Sequence, residues 1–200
     1  MPPPTVNRKV ERGQATRRQL VAAATRLFAE RGYEATSVET VLEEAGVSRG
    51  ALYHHFEDKR ALFEAVLESV EEDLAAVVMA AAEKSGDPSR SLQAGCVAWL
   101  QSLRDPVVRR IVLVDAPSVV GWQRWREIDE CHWFGLIKAG LAESLPPGRH
   151  DPAGVDVLAH MLLAALNELA FVIARAEDTE AAARAGEAAL GDLLERLLAP

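Results

Sequence analysis

Apolar residues recur at three- and four-residue spacings along almost all of this 200-residue chain, the period of a helix and not of a strand. A chain patterned this way buries stripes of helix against one another, so the expected class is all-α. Leu20, Ala24, Leu27 and Phe28 trace one face of a first helix, closed by Arg31-Gly32. Phe63, Val66, Leu67, Val70, Leu74, Val77 and Val78 trace a long fourth helix that Asp58 can cap and that fades at Ser85-Gly86-Asp87-Pro88. A helix with Leu92, Cys96, Trp99 and Leu103 on one face follows, broken by Asp105-Pro106. Three more are expected over about 121–145, 152–176 and 179–198, set off by Leu145-Pro146-Pro147-Gly148 and Asp151-Pro152. Residues 111–114 are β-branched and leucine, but a lone strand has no partner here, so they read as short helix and loop.

Between the first and fourth helices lie two short ones. Thr36-Ser37-Val38-Glu39 reads as a capping box that opens the second helix at about residue 37. Ala45-Gly46-Val47-Ser48 then supplies a tight turn, and Ser48 can cap a third helix running to about Phe56. On that helix Leu52 and Phe56 can pack against Leu27, Val41 and Leu42, which leaves Arg49, Gly50, Tyr53 and His54 facing outward together. Two short capped helices joined by a glycine turn have the build of a helix-turn-helix, whose second helix enters a DNA major groove.

The net charge of −8 at first argues against a nucleic-acid partner, but its distribution does not. Residues 1–60 carry +2 and the remaining 140 carry −10, and residues 8–18 hold Arg8, Lys9, Arg12, Arg17 and Arg18 against Glu11 alone. A small basic end on an acidic body meets phosphate locally while the body is repelled by it. The N-terminal Met1-Pro2-Pro3-Pro4 has no apolar core of a secretion signal, and residues 158–174 are too short for a span and hold His160, Asn167 and Glu168. No membrane partner and a cytoplasmic location are therefore expected. Cys96 and Cys131 make neither a disulfide framework nor a closed zinc site.

The run from Thr36 through Phe56, followed by Asp58-Lys59 and Leu62, resembles the head of the TetR/AcrR family of transcriptional regulators, and the likeness covers roughly residues 13–65. It implies a three-helix helix-turn-helix head over residues 13–60, preceded by a flexible basic arm over 1–12 and followed by a ligand-sensing and dimerisation domain over 61–200. It implies that Thr36, Tyr53, His54 and Lys59 hold phosphates, and that Arg49 and Gly50 face the groove beside Ser48. It also implies a homodimer built on the last two helices, a palindromic double-stranded operator and release by a small-molecule effector.

Trp99, Trp122, Trp125 and Trp133 all fall within residues 99–133; with Leu103, Leu163, Asn167 and Phe171 they are the expected lining of an effector pocket, the alternative being that they fill core. Asp115, Asp129 and Glu168 could counter a cationic ligand if buried. Cys131-His132 invites a metal or redox reading, yet adjacent helical residues point about 100° apart. No serine elbow or phosphate-cradling glycine loop is present, so neither an enzyme nor a cofactor is expected. An enzyme using the same pocket and a ligand-blind DNA-binding protein are the rival readings.

Overall fold

The computed structural model describes residues 8–146, 148 and 150–199. Among these there are ten α-helices, one π-helical segment and no strand. Helices α1 (Arg8–Arg31), α2 (Val38–Ala45) and α3 (Arg49–His55) form a head. Helix α4 (Lys59–Glu83) runs from the head into a body of α5 (Pro88–Ser102), α6 (Pro106–Val108), a π segment (Arg109–Asp115), α7 (Ala116–Val119), α8 (Trp122–Ser144), α9 (Pro152–Arg175) and α10 (Thr179–Leu198).

The caps explain where the elements begin. Asp58, Asp87, Asp151 and Asp178 each accept a backbone N–H of the helix that follows, and Pro88 and Pro152 occupy first-turn positions where no N–H is needed. Ser48 does the same for α3, accepting from the Ala51 amide at 3.3 Å. The cap of α2 differs from the capping box expected: Ser37, not Thr36, accepts from the Thr40 amide. Gly46 closes α2 with φ of 63°, a left-handed conformation that a Cβ would strain, and this reverses the chain into α3.

Two further expectations change. Residues 8–12, assigned above to a flexible arm, form the first turns of α1; the arm's residues 1–7 lie outside the described residues, as does Pro147 in the expected stop after α8. Residues 111–114 are neither strand nor loop. They continue α6 as a wider π turn, which buries Ile111, Val112 and Leu113 and leaves Val114 exposed.

The head core joins Leu20, Ala24, Leu27, Phe28, Val41, Leu52 and Phe56, all buried, to Leu62 and Phe63 at the start of α4. Phe28, Tyr33 and Phe63 meet at ring separations of 5.3 to 5.6 Å. In the body α4 packs along α5, α5 along α8, and α8 along α9, while α10 closes on α5 and α9. Helix α9 is long and apolar enough to cross a membrane by length and composition. One face of it, including Ala159, Leu162, Leu163, Leu166 and Ala170, is core between α8 and α10, and it carries the buried Asn167.

Candidate functional site

On α3 the buried Leu52 anchors the helix, and Arg49, Gly50, Tyr53 and His54 are all exposed on its other side beside the exposed cap Ser48. Tyr53 is 48% exposed with no aromatic partner among the described residues, an unusual place for a large ring unless something covers it. Gly50 has open space where a side chain would be, so the α3 backbone can approach a surface closely. Arg49 pairs with Glu39 of α2, both ends exposed, and an exposed pair of this kind is weak enough to be exchanged for another acceptor. Arg17 of α1 lies over the ring of Phe56, 5.5 Å from its centroid.

Two residues expected to hold phosphates are otherwise engaged. Thr36 is 1% exposed, and its hydroxyl donates to the carbonyls of Gly32 at 2.8 Å and Leu27 at 3.3 Å. Its side chain is thus an internal tie and has no proton left for DNA, which corrects the role expected for it. Lys59 is half-buried: its ammonium donates to the carbonyls of Tyr33 at 2.8 Å and Thr36 at 3.0 Å and stands 3.9 Å from the centroid of the Tyr33 ring. It staples the α1–α2 connection to α4, with one of three protons uncommitted.

The same connection is tied to the body. The Tyr33 amide donates to Asp115 Oδ2 at 3.0 Å, Arg110 Nε donates to both oxygens of Asp115 at 3.2 Å, and Arg60 donates to the Val120 carbonyl at 2.9 Å. Gly32 has φ of 81° and lies under the Arg110 guanidinium, which would collide with any Cβ there. Asp115, one of the acids considered for a cationic ligand, is therefore spent at the junction of head and body.

The body contains an apolar cavity of about 200 Å³ between α4, α5, α8 and α9. Of the residues expected to line it, Trp99, Trp133 and Leu163 do. The two indoles meet edge to face at 6.3 Å. Leu103, Trp122, Trp125, Asn167 and Phe171 do not line it. Trp122, Trp125 and Phe171 form a separate aromatic cluster with ring separations of 4.9 to 6.3 Å, and Trp122 is 59% exposed. Leu103 is buried and lines a different hollow with Ile173 of α9 and Ala183 of α10. The remaining walls come from Val78, Met79 and Ala82 of α4, Ser91, Leu92, Gly95 and Cys96 of α5, Leu136, Ile137, Gly140 and Glu143 of α8, and Leu166 of α9. Sequence reasoning missed these as lining; their placement on the buried stripes was the available signal.

Behind Trp133 lies a buried polar group. Trp133 Nε1–H donates to Glu71 Oε2 at 2.9 Å, and Asn167 Nδ2 donates to Asp129 Oδ2 at 2.6 Å. Glu71 is 1% and Asp129 2% exposed. Burial, reinforced by the neighbouring Asp129, pushes the Glu71 carboxyl up to about 8, and burial raises Asp129 to about 6. Glu168 is exposed on α9, Cys131 is exposed and His132 half-buried on α8. Among the described residues no three metal-ligating side chains converge.

A family model described as "Bacterial regulatory proteins, tetR family" matches residues 20–66, and one described as "Tetracyclin repressor-like, C-terminal domain" matches residues 89–197. The chain is 45% identical over 67 residues to the HTH-type transcriptional regulator TtgR of Pseudomonas putida, which is 34% of this chain and 32% of that protein. The chain thus spans about a third of the length of such curated relatives. It is 26% identical to the HTH-type transcriptional repressor KstR2 of Rhodococcus jostii over 71% of this chain and 72% of that one. Among solved structures, a TetR-family transcriptional regulator from Pectobacterium atrosepticum is 33% identical over 98% of this chain and 99% of that chain, with a TM-score of 0.79.

Proposed function

The chain belongs to the TetR family of bacterial regulatory proteins, and from that premise we propose that it is a cytoplasmic, sequence-specific transcriptional repressor, released from a palindromic DNA operator when a small molecule occupies its cavity. The observation that carries this reading is the outer face of α3: Arg49, Gly50, Tyr53 and His54 project together from a short helix held by the buried Leu52. Arg49 can grip a guanine edge in a bidentate manner, Gly50 permits close approach, and Tyr53, His54 and the free proton of Lys59 serve phosphates. Ser48 stands at the start of the same helix. DNA reading belongs to the head up to residue 60, with α1 extended back to Arg8, and sensing and dimerisation to residues 61–200. Repression is supported by the relative KstR2, a transcriptional repressor.

The homodimer is supported by the outer face of α9. Val157, Met161 and Val172 are exposed there with Ala164 and Ala165 between them, and α10 exposes Leu193 on a helix otherwise rich in alanine. Small residues between larger ones let two helices approach closely, and a two-fold pair of such faces forms a four-helix interface. A ligand that prefers one spacing of the two α3 helices shifts the population of dimers able to span successive major grooves. The route from cavity to head runs along α4, which contributes Val78 and Ala82 to the wall and Lys59 to the head.

Selection of bound duplexes from a random DNA library at physiological salt tests the reading. A palindrome bound by a dimer is the expected result. Only weak, steeply salt-dependent binding without a preferred sequence overturns the operator. With the operator in hand, Arg49→Ala relaxes base preference, while Tyr53→Ala weakens binding to all sequences alike.

A further inference from the structure

We propose that the effector is a small apolar cation, an alkyl- or arylammonium ion seated against the indole of Trp133, with Glu71 as the positioning residue that makes this ring electron-rich. The inference rests on the sensor reading of the cavity and names the ligand class it takes.

The walls are aliphatic apart from the indoles of Trp99 and Trp133, the sulfur side chains of Met79 and Cys96, and the polar Ser91 and Glu143. The one charged residue in the lining is an acid, and no lysine, arginine or histidine lines the cavity among the described residues. An anionic ligand would surrender its hydration with no cation or donor array to replace it. A neutral apolar ligand gains burial alone.

What favours a cation is the group behind the wall. Trp133 contributes its ring to the cavity and its N–H to the Glu71 carboxyl. Burial holds Glu71 largely as a neutral acid up to about pH 8. A cation on the indole face favours its ionised form, whose carboxylate, accepting from the indole N–H, drives electron density into the ring. The face of an indole is the best aromatic surface for a cation. Neither Glu71 nor Asp129 has an ion-pair partner among the described residues. Arg126 on α8 pairs with Glu130 and its charge acts on Asp129 from a distance. Glu71 thus lacks the positive charge that a buried carboxylate normally has, and an ammonium ion in the cavity supplies it across the Trp133 ring. The volume sets the size: about 200 Å³ is below the range of about 300–1,000 Å³ typical of drug-sized ligands.

Three probes of one shape test this: 4-phenylbutylammonium, 4-phenylbutanol and 4-phenylbutyrate, titrated into the full chain at about pH 7 and at about pH 9 by calorimetry and tryptophan emission. The amine is expected to bind roughly tenfold more tightly than the alcohol, with the carboxylate weakest. The wild-type amine-to-alcohol ratio should be larger at about pH 9 than at about pH 7 as Glu71 ionises. At the higher pH Glu71→Gln should bring the ratio close to one, and Trp133→Phe, which keeps a ring and removes the N–H, should lower it as well. An alcohol bound as tightly as the amine, or a carboxylate bound best, overturns the charge assignment and leaves the sensor cavity standing. A ratio unchanged in both variants removes Glu71 from the account. If none of the three binds saturably, the sensor reading falls and the proposal with it. The comparison within the wild-type chain needs no variant to fold.

Discussion

The head and the body treat buried polarity in opposite ways. In the head, Thr36 is buried with its hydroxyl donated to main-chain carbonyls, and the half-buried Lys59 binds two more. In the body, Glu71 and Asp129 are buried with one neutral partner each, and Asn167 Oδ1 has none among the described residues. Satisfied groups hold one conformation, whereas an undersatisfied cluster beside an open cavity can be completed by something else. A reading head needs the first property, because a bidentate base contact tolerates little displacement. A sensor needs the second.

Four measurements can break or sharpen this contrast. The largest effect is expected from Leu52→Ala, which empties the centre of the head and should cost about 2–5 kcal/mol by chemical denaturation. A cost below about 1 kcal/mol would mean that the head is loosely packed after all. Next is Glu71→Gln. A carboxyl with a raised folded-state pKa holds its proton more tightly folded than unfolded. Its contribution to stability is full below the ordinary value of 4.5 and is lost as pH rises to about 8. The wild type should therefore lose stability across that window, and Glu71→Gln should flatten the slope and be on the order of 1–3 kcal/mol more stable than wild type at the upper end. A variant with the wild-type slope would show that Glu71 is not buried as a neutral acid.

Thr36→Val comes third. It removes a hydroxyl that ties two carbonyls and should cost about 1 kcal/mol, with the salt dependence of DNA binding unchanged. A shallower salt slope at unchanged stability would restore Thr36 as a phosphate contact. The smallest change in stability is expected for Tyr53→Ala, within about 0.5 kcal/mol because nothing in the head leans on that ring, although DNA affinity should fall. Equal losses of stability and affinity would make Tyr53 a structural residue.

Much of the secondary structure was legible in advance because its signals are local. Asp151-Pro152 opens α9 as expected, α10 spans residues 179–198, and Gly46 turns α2 into α3. The outward set on α3 followed from helical geometry once Leu52 and Phe56 were assigned to the core. The cavity was only partly legible. Trp122, Trp125 and Trp133 share one helix, but eight residues separate the last two, about 12 Å along the axis, so they serve different neighbours. Trp133 faces Trp99 and the cavity, while Trp125 faces Phe171. The π segment left no legible mark because one extra residue in a turn changes no composition or period that short run can show.

The sequence by itself determined that the chain is helical, where most helices start and stop, and which face of α3 is free. Caps, turns and apolar spacing act within a few residues, so each can be read without knowing what lies across the fold. Only the tertiary structure decided that Thr36 ties the head internally and Asp115 ties it to the body, that three of eight expected residues line the cavity, and that Glu71 lies behind Trp133. Those outcomes depend on the rotation and axial offset of helices far apart in the chain, which are set by how side chains of several helices interdigitate at once.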